Sequence, residues 1–309
     1  MKVLLAYDGS DCADAAVADL QKAALPDDTE FQIITVAHNG WPHVKPATAS
    51  GHFESTMIPV LQEALNGADK ARAAIQTRFP KWKVSSQALW GQPAEILRKT
   101  VEHAKPDLLI VGSHGRGAVG RLLLGSVSRD LVRYAPCSVR IVREGTGSHE
   151  GSLRVLLASD GSPLLHTVIG QVLKRRWPVG TAVRIVSVLP SLMPVAIAAT
   201  EASASASDSE LDVVRNEVDL EKSRLNHAAE YSANRLRTAG LECSVLLCGG
   251  EPGHEIVAEA KRWNADMIFI GARGLSVLDR ILLGSVSTAV VMHSECPVEV
   301  VRPLKRFRE

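Results

Sequence analysis

Glycine and serine residues recur with one fixed spacing at two places in the chain. Both copies of the motif read G-x2-G-x9-G-S-V-S, beginning at Gly112 and at Gly271. Each copy follows an apolar run that starts with an aspartate, which is typical of a buried strand. Because open α/β sheets bind phosphorylated ligands at the carboxyl ends of such strands, the motif predicts a phosphate site in each half. The motif residues are Gly112, Gly115, Gly125, Ser126, Val127 and Ser128 in the first copy and Gly271, Gly274, Gly284, Ser285, Val286 and Ser287 in the second.

The motif combines two devices for holding an anion. Glycine has no Cβ, so backbone N–H groups can approach a ligand closely at Gly112 and Gly115. The Ser-Val-Ser segment after Gly125 would begin a helix and present unpaired N–H groups, the positive end of the helix dipole and two hydroxyls. In the alternative interpretation, Ser126 only starts a helix, because serine is a common N-cap residue. The repetition of both parts at one spacing favours a two-sided phosphate clamp.

An aspartate ends the first strand of each half and is followed by Gly-Ser, at Asp8 and at Asp160. Aspartate is common at such a junction as a turn or N-cap residue. At the switch point of a sheet, its carboxylate could instead accept hydrogen bonds from the ribose or base of a nucleotide. Arg121 and Arg280 occupy equivalent positions in the nine-residue spacers, where each could reach a terminal phosphate or lie exposed on a helix. The residues alone leave these alternatives open.

The duplication extends over nearly the whole chain. Val3 and Val155 begin equivalent apolar runs, and Gly91 and Gly250 begin equivalent Gly-x-Pro sequences that lie further apart along the chain. The second half has therefore gained residues between its second and third strands, and we expect its Ala/Ser-rich segment 198–208 to be a mobile loop. A repeat of this length indicates a duplicated domain. We expect domains at 1–144 and 153–309, joined by a Gly/Ser-rich linker at 145–152.

Short β-rich runs alternate with longer helical stretches in each half, which indicates an α/β fold with crossover helices. The strand runs are nearly continuous in Val, Ile and Leu, which indicates burial on both faces of a parallel sheet. Strands are expected in the first half at Val3–Tyr7, Phe31–Ala37, Val84–Trp90, Leu108–Val111 and Val139–Val142 and in the second at Val155–Ala158, Val183–Val188, Ser244–Leu247, Met267–Ile270 and Val298–Val301. Helices are expected at Cys12–Ala24, Ser55–Arg78, Ala94–Ala104 and Ser126–Tyr134, and from about Glu210 to Thr238.

The composition argues against several classes of protein. The 35 Lys and Arg residues nearly balance the 34 Asp and Glu residues, and the one dense basic run is the tail 302–308, so binding to nucleic acid is not indicated. The five cysteines are scattered, which suits reduced thiols in the cytosol. The largely apolar run Val3–Tyr7 before Asp8 is too short for a signal peptide, and no apolar run is long enough to span a membrane. We expect a cytoplasmic protein that does not enter the membrane.

The chain resembles the universal stress protein family in its tandem two-domain form. The resemblance rests on the strand-end aspartates, on the glycine motif in both copies and on a Gly-x-Pro sequence at Gly91 and at Gly250. It also rests on the sequences Ala135-Pro136-Cys137-Ser138-Val139 and Glu295-Cys296-Pro297-Val298 before the last strands. The glycine pattern is the family's mark for its ATP-binding branch.

This resemblance implies two tandem open five-stranded parallel sheets, each in the order 3-2-1-4-5 with helices on both faces. It implies ATP at the ends of the first and fourth strands, with Asp8 and the backbone of Val36 at the adenosine and the motif residues at the ribose and phosphates. Asp160 and Val188 would repeat these roles. Family members commonly pair their last strands. The resemblance therefore implies an intramolecular pseudo-dimer of the two halves through Val139–Val142 and Val298–Val301, and it allows a homodimer of the chain.

Three functions remain open from the sequence, and a purely structural interaction protein with vestigial pockets has the least support, because the motif is intact in both copies. The first is a stress-response protein that binds an adenine nucleotide, acts as a nucleotide-dependent regulatory or binding module and hydrolyses ATP slowly at most. Its support is that no general base or nucleophile is shared by both copies, since Arg273 replaces His114. The alternative is a slow nucleotide hydrolase or phosphotransferase that uses Mg²⁺, because phosphoryl transfer depends mainly on positioning and on neutralising charge.

Overall fold

The computed structural model describes residues 1–38, 41, 53–115, 124–145, 151–190, 208–272 and 283–303. Several residues of the sequence predictions lie outside these ranges. They are Arg121, Arg273, Gly274, Arg280, most of the linker and the Ala/Ser-rich segment 198–207.

Ten strands of the described residues form one sheet in the order β3-β2-β1-β4-β5-β10-β9-β6-β7-β8. The strands of the first half are β1 (Lys2–Ala6), β2 (Glu30–Ala37), β3 (Lys83–Trp90), β4 (Leu108–Gly112) and β5 (Ser138–Val142). Those of the second half are β6 (Arg154–Ser159), β7 (Ala182–Pro190), β8 (Glu242–Gly250), β9 (Met267–Gly271) and β10 (Val298–Val301).

Helices connect the strands, as the sequence predicts for crossover connections. Those of the first half are α1 (Asp11–Asp19), α2 (Phe53–Arg78), α3 (Pro93–Ala104) and α4 (Ser126–Tyr134). Those of the second half are α5 (Leu164–Leu173), α6 (Asp208–Thr238), α7 (Pro252–Arg262) and α8 (Ser285–His293). No helix of the described residues is long and apolar enough to cross a membrane.

Within each half the strands are parallel and follow the order 3-2-1-4-5 in that half's own numbering. The two five-stranded parallel sheets join through their last strands, which are the contact edges that the resemblance implies. β5 and β10 pair antiparallel, with Val139 opposite Val300 and Ile141 opposite Val298, so the two sheets are continuous. These four side chains are at most 2% exposed. An unpaired apolar edge would leave backbone groups and apolar surface in water, and the pairing removes both costs. The two last strands are thus used within the chain, so a homodimer would need another surface.

Helix α1 is shorter than the sequence predicts. It begins after Ser10, whose hydroxyl accepts a hydrogen bond from the N–H of Ala13 at 3.3 Å and so caps the helix. It ends at Asp19 instead of Ala24, because the next residues form tight turns. Ala24 has a φ of 49°, in the left-handed region that ends helices. The carboxylate of Asp19, its last residue, lies against the neighbouring strand β5 and accepts a hydrogen bond from Arg140.

A buried ionic network joins the two halves. Arg140 of β5 lies opposite Glu299 of β10. The Arg140 side chain donates to Asp19 at 2.6 Å and to Glu299 at 3.5 Å. The Arg175 side chain donates to the other oxygen of Glu299 at 2.6 Å. All four side chains are at most 1% exposed. Burial alone would lower the pKa of Arg140, but the carboxylates of Asp19 and Glu299 outweigh it and raise that pKa.

Two equivalent arginines also cross the junction. Arg143 follows β5 and donates to the carbonyls of Val291 at 2.7 Å and Met292 at 2.9 Å, near the end of α8. Arg302 follows β10 and donates to the carbonyl of Val132 at 2.6 Å, near the end of α4. Each half therefore caps, with its own arginine, the carboxyl end of the helix that carries the other half's motif.

Candidate functional site

The turn after the first strand of each half is organised by its aspartate. The Asp8 carboxylate accepts hydrogen bonds from the Ser10 N–H at 3.0 Å and the Ser10 hydroxyl at 2.6 Å. The Asp160 carboxylate accepts one from the Ser162 N–H at 3.0 Å. Both aspartates therefore make the hydrogen bonds expected of a turn residue, which is one of the two roles that the sequence leaves open for them. Both are also half-buried rather than enclosed, so a ligand at the strand ends could still reach them.

The glycine loop of the first half lies directly against Asp8. A Cβ on Gly115 would lie 2.7 Å from the Asp8 Oδ2 atom, and a Cβ on Gly112 would lie 2.9 Å from the Cβ of Cys12. Real Cβ atoms do not approach other atoms this closely. A larger residue at Gly112 would therefore have to shift Cys12 at the start of α1, and one at Gly115 would displace the Asp8 carboxylate. The fold thus brings the first-strand aspartate and the fourth-strand glycines together, as the sequence predicts.

The motif helices are tied to these loops in the same way in both halves. The Gly125 N–H donates to the Ser113 carbonyl at 2.8 Å, and the Gly284 N–H donates to the Ala272 carbonyl at 2.8 Å. The buried Ser128 hydroxyl donates to the carbonyl of Gly112 at 2.6 Å. These bonds fix the start of each helix beside the glycine loop, where its first-turn N–H groups have no intrahelical partners.

The equivalent serine of the second half, Ser287, donates to the Gly271 carbonyl at 2.7 Å. Both hydroxyl protons are therefore engaged within the fold, so the two buried serines position the motif, and their contact with phosphate stays a prediction. Ser126 and Ser285 are exposed at the first position of each helix.

A cavity of about 540 Å³ lies at the strand ends of the second half. Its wall includes the strand-end Asp160, the glycine Gly271 and the first turn of α8. The rest of the wall is mostly apolar, which suits a flat ring system more than a highly charged group. The lining residues include Ser159, Leu164, Val168, Val188, Leu225, Pro252, Ile256, Ile270, Leu283, Gly284, Ser285, Val286 and Ser287.

An ion pair from helix α6 completes this cavity. Arg224 and Glu221 both line it, and the guanidinium meets the carboxylate through two bonds of 2.7 Å. Arg224 also donates to the carbonyls of Asp160 at 3.0 Å and Gly161 at 3.1 Å. The hydrogen bond from Arg224 lowers the pKa of Glu221, and the same bond raises the pKa of Arg224. Both groups are therefore ionised at neutral pH.

Comparison with known proteins identifies the fold and its repeat. The model of the universal stress protein family matches residues 1–143 and again 152–302. The chain belongs to the universal stress protein family. A universal stress protein of Mycolicibacterium smegmatis is 24% identical over 310 residues, 97% of each chain. One of Thermus aquaticus is 33% identical over 141 residues, which are 46% of this chain and 97% of that protein.

Solved structures show the same two-domain fold. The crystal structure of a universal stress protein from Archaeoglobus fulgidus has a TM-score of 0.66 and 22% identity, covering 97% of this chain and 98% of that one. A putative universal stress protein from Pseudomonas aeruginosa has a TM-score of 0.55 and 14% identity, covering 98% of this chain and 93% of that one.

The first half of this universal stress protein has a polar cluster that the sequence patterns do not indicate. The Cys12 thiol lies 3.6 Å from the Ser113 hydroxyl and 3.8 Å from the Nδ1 atom of His114, and that hydroxyl lies 2.6 Å from the same nitrogen. In the second half the repeat places Leu164 at the position of Cys12 and Ala272 at that of Ser113. The cluster is thus particular to one site.

The sequence also gives no signal for Glu221 and Arg224, since an acid and a base three residues apart are usual on an exposed helix. Their position beside Asp160 depends on the packing of α6 against the sheet. The other predicted residues that the structure describes lie where the repeat places them. Val36 is 5% exposed and Val188 is 8% exposed at the end of the second strand of each half, and Val127 and Val286 are half-buried in the motif helices.

Proposed function

We propose that this universal stress protein binds an adenine nucleotide, ATP, in each half and acts as a nucleotide-dependent regulatory or binding module. One observation carries the proposal. In the second half the strand-end aspartate, the first motif glycine Gly271 and a helix start without a side-chain cap all line a single cavity of about 540 Å³. Cofactor and ligand pockets generally have this size and this mixture of an apolar wall with a few placed polar groups.

The groups that line the cavity suit the parts of a nucleotide. Gly284 has no side chain to cap α8, and no acidic side chain lies in its first turn, so the start of this helix favours phosphates. The apolar wall around Val188 and Ile256 suits a base, and Asp160 can accept hydrogen bonds from the nucleoside. Mg²⁺ would accompany the phosphates, because it keeps much of its water and is held mainly by phosphate oxygens and one or two carboxylates.

Hydrolysis should be slow compared with typical enzymes, for which the median turnover is about 10 per second. A binding role needs only groups that hold the ligand, and those are the groups that the two halves share. Ser113 and His114 form a hydroxyl–imidazole pair in the first half, and Ala272 replaces the hydroxyl in the second. Rapid turnover at both sites would therefore contradict the proposal and favour a nucleotide hydrolase or phosphotransferase.

Titration calorimetry with Mg-ATP tests the proposal. We expect about two sites per chain, one per glycine motif, and the mass of any nucleotide released on denaturation should identify the bound species. Gly115→Val should remove the first site, because the new side chain would lie against the Asp8 carboxylate.

Gly249→Val is a matched control, since a Cβ at this exposed strand position meets no atom within 4 Å. A stoichiometry of zero for the unmodified protein would refute the proposal. An equal loss of ATP binding in the Gly115→Val and Gly249→Val variants would show that the first site is wrongly located.

A further inference from the structure

Glu221 and Arg224 give the second site a charged wall, and the described residues of the first half have no equivalent ion pair. We propose that this pair is a selectivity element that makes the second site prefer ribonucleotides, with the Glu221 carboxylate accepting a hydrogen bond from a ribose hydroxyl. Arg224 acts as a positioning residue that holds this carboxylate beside the strand-end turn. The inference rests on the proposed function and assigns the part of the ligand that this wall recognises.

Arg224 fixes the carboxylate in place. A single nitrogen, Nη2, donates both to Glu221 at 2.7 Å and to the Asp160 carbonyl at 3.0 Å. The carboxylate therefore lies within two hydrogen-bond lengths of the turn that carries Asp160, the residue predicted to contact the nucleoside. The guanidinium approaches the turn closely, because a Cβ on Gly161 would lie 2.7 Å from the Nη1 atom of Arg224 and would displace it, and the φ of 70° at Gly161 itself favours glycine. Such preorganisation reduces the entropy cost of recognising a ligand.

The Glu221 carboxylate keeps the capacity to bind a donor. Each of its oxygens accepts one hydrogen bond from Arg224, and a carboxylate oxygen can accept two. Asp160 and Glu221 carry two negative charges, and Arg224 neutralises one of them. These carboxylates therefore repel phosphates and favour hydrogen-bond donors, whereas the start of α8 attracts phosphates. Neighbouring carboxylate acceptors suit the vicinal hydroxyls of a ribose.

The first half has a different wall at this place. The buried positions of α2 and α6 match in one constant register, which pairs Ala64 with Leu225, Ala68 with Ala229 and Ile75 with Leu236. In this register Val60 corresponds to Glu221, and Glu63 corresponds to Arg224.

Val60 is 1% exposed and packs in an apolar cluster with Ala37, Trp41 and Ala64. An apolar wall cannot accept a hydrogen bond, so we expect the first site to distinguish ribose from deoxyribose less well.

The test uses the full chain with Gly115→Val, so that binding reports on the second site. Calorimetry then compares Mg-ATP with the magnesium complexes of 2′-deoxy-ATP and 3′-deoxy-ATP. Loss of a hydrogen bond to a charged acceptor should weaken binding of at least one deoxy analogue by about 10- to 100-fold. Glu221→Gln keeps the shape but removes the charge, and it should reduce this preference several-fold. Arg224→Met should reduce it as well, because the carboxylate loses its support.

Asp219→Asn is the matched control, because Asp219 pairs with Lys222 at 3.3 Å on the exposed side of the same helix. It should leave the preference unchanged. An unchanged preference for ATP over the deoxy analogues in the Glu221→Gln variant would overturn the inference. It would also be overturned if this variant lost affinity for ATP and for the deoxy analogues equally. If the unmodified protein binds no nucleotide at all, the proposed function fails instead. Thermal unfolding without ligand shows whether each variant is folded.

Discussion

The buried ionic network at the junction of the halves gives a large predicted effect on stability. Glu299 accepts hydrogen bonds from Arg140 and Arg175, and all three side chains are fully buried. Glu299→Gln keeps the side-chain volume but leaves two buried guanidinium groups with the single carboxylate of Asp19. Removing one partner of a buried ion pair typically costs about 3–5 kcal/mol, because the other charge stays desolvated. This is a large part of the free energy of unfolding of a typical protein, which is about 5–15 kcal/mol.

Urea unfolding followed by tryptophan fluorescence measures the loss. Trp177 contacts Phe269 with their ring centroids 6.2 Å apart and lies close to Arg175 in the chain, so it reports on the same region. With typical denaturant slopes the midpoint should fall by about 1–2 M. Glu95→Gln is the control, because it breaks the exposed pair with Lys99 and should leave the midpoint unchanged within error.

A second variant separates desolvation from simple loss of packing. Replacing all four network residues by apolar ones (Asp19→Leu, Arg140→Met, Arg175→Met and Glu299→Leu) leaves no buried charge without a partner. It should therefore recover much of the stability that Glu299→Gln loses. A midpoint for Glu299→Gln equal to that of the unmodified protein would refute the reasoning, because it would show that the network is solvated.

Three further predictions concern single positions. Arg302→Met should lower the free energy of unfolding by about 2–3 kcal/mol, measured by urea titration, because buried carbonyls at the end of α4 lose their donor. Burial raises the pKa of Cys137 to about 12, so its alkylation at pH 9 should be slow until urea is added. Because the unfolded thiol ionises at lower pH, stability should fall as pH rises from about 9 towards 12, and less steeply in Cys137→Ala. Gly161→Ala should lower the thermal midpoint more than Gly180→Ala, since both glycines have a positive φ but only Gly161 contacts Arg224.

The sequence predicts most of the fold because its signals are local and repeated. The helix Ser126–Tyr134 and the strand Val298–Val301 have the predicted bounds, and most other elements differ by one to three residues at an end. The pairing of aspartate with the glycine loop follows from parallel topology, since the carboxyl ends of adjacent strands meet at one edge. The exception is α1, whose last turn is replaced by a change of backbone conformation that no periodicity encodes.

Contacts between elements distant in the chain could not be predicted in the same way. The Arg140–Glu299 pair depends on the register of two strands from opposite halves of the chain. Each charge interrupts an apolar strand run, but no local pattern in the sequence pairs one with the other. The ion pair at the second site depends on how α6 packs, and its residues resemble any exposed helical pair. Residues such as these distinguish the two halves, whereas the shared motif only locates the sites.

The two crossing arginines make the halves depend on each other. The last carbonyls of a helix have no intrahelical partners, and at α4 and α8 the donors come from the opposite half. The same helices begin at Gly125 and Gly284, where the motif is tied to its own glycine loop. Each motif helix is therefore held at its start by its own half and at its end by the other. A half without its partner would expose the apolar edge of its last strand and leave these helix ends uncapped, so the pairing of β5 with β10 supports the helix that carries each motif.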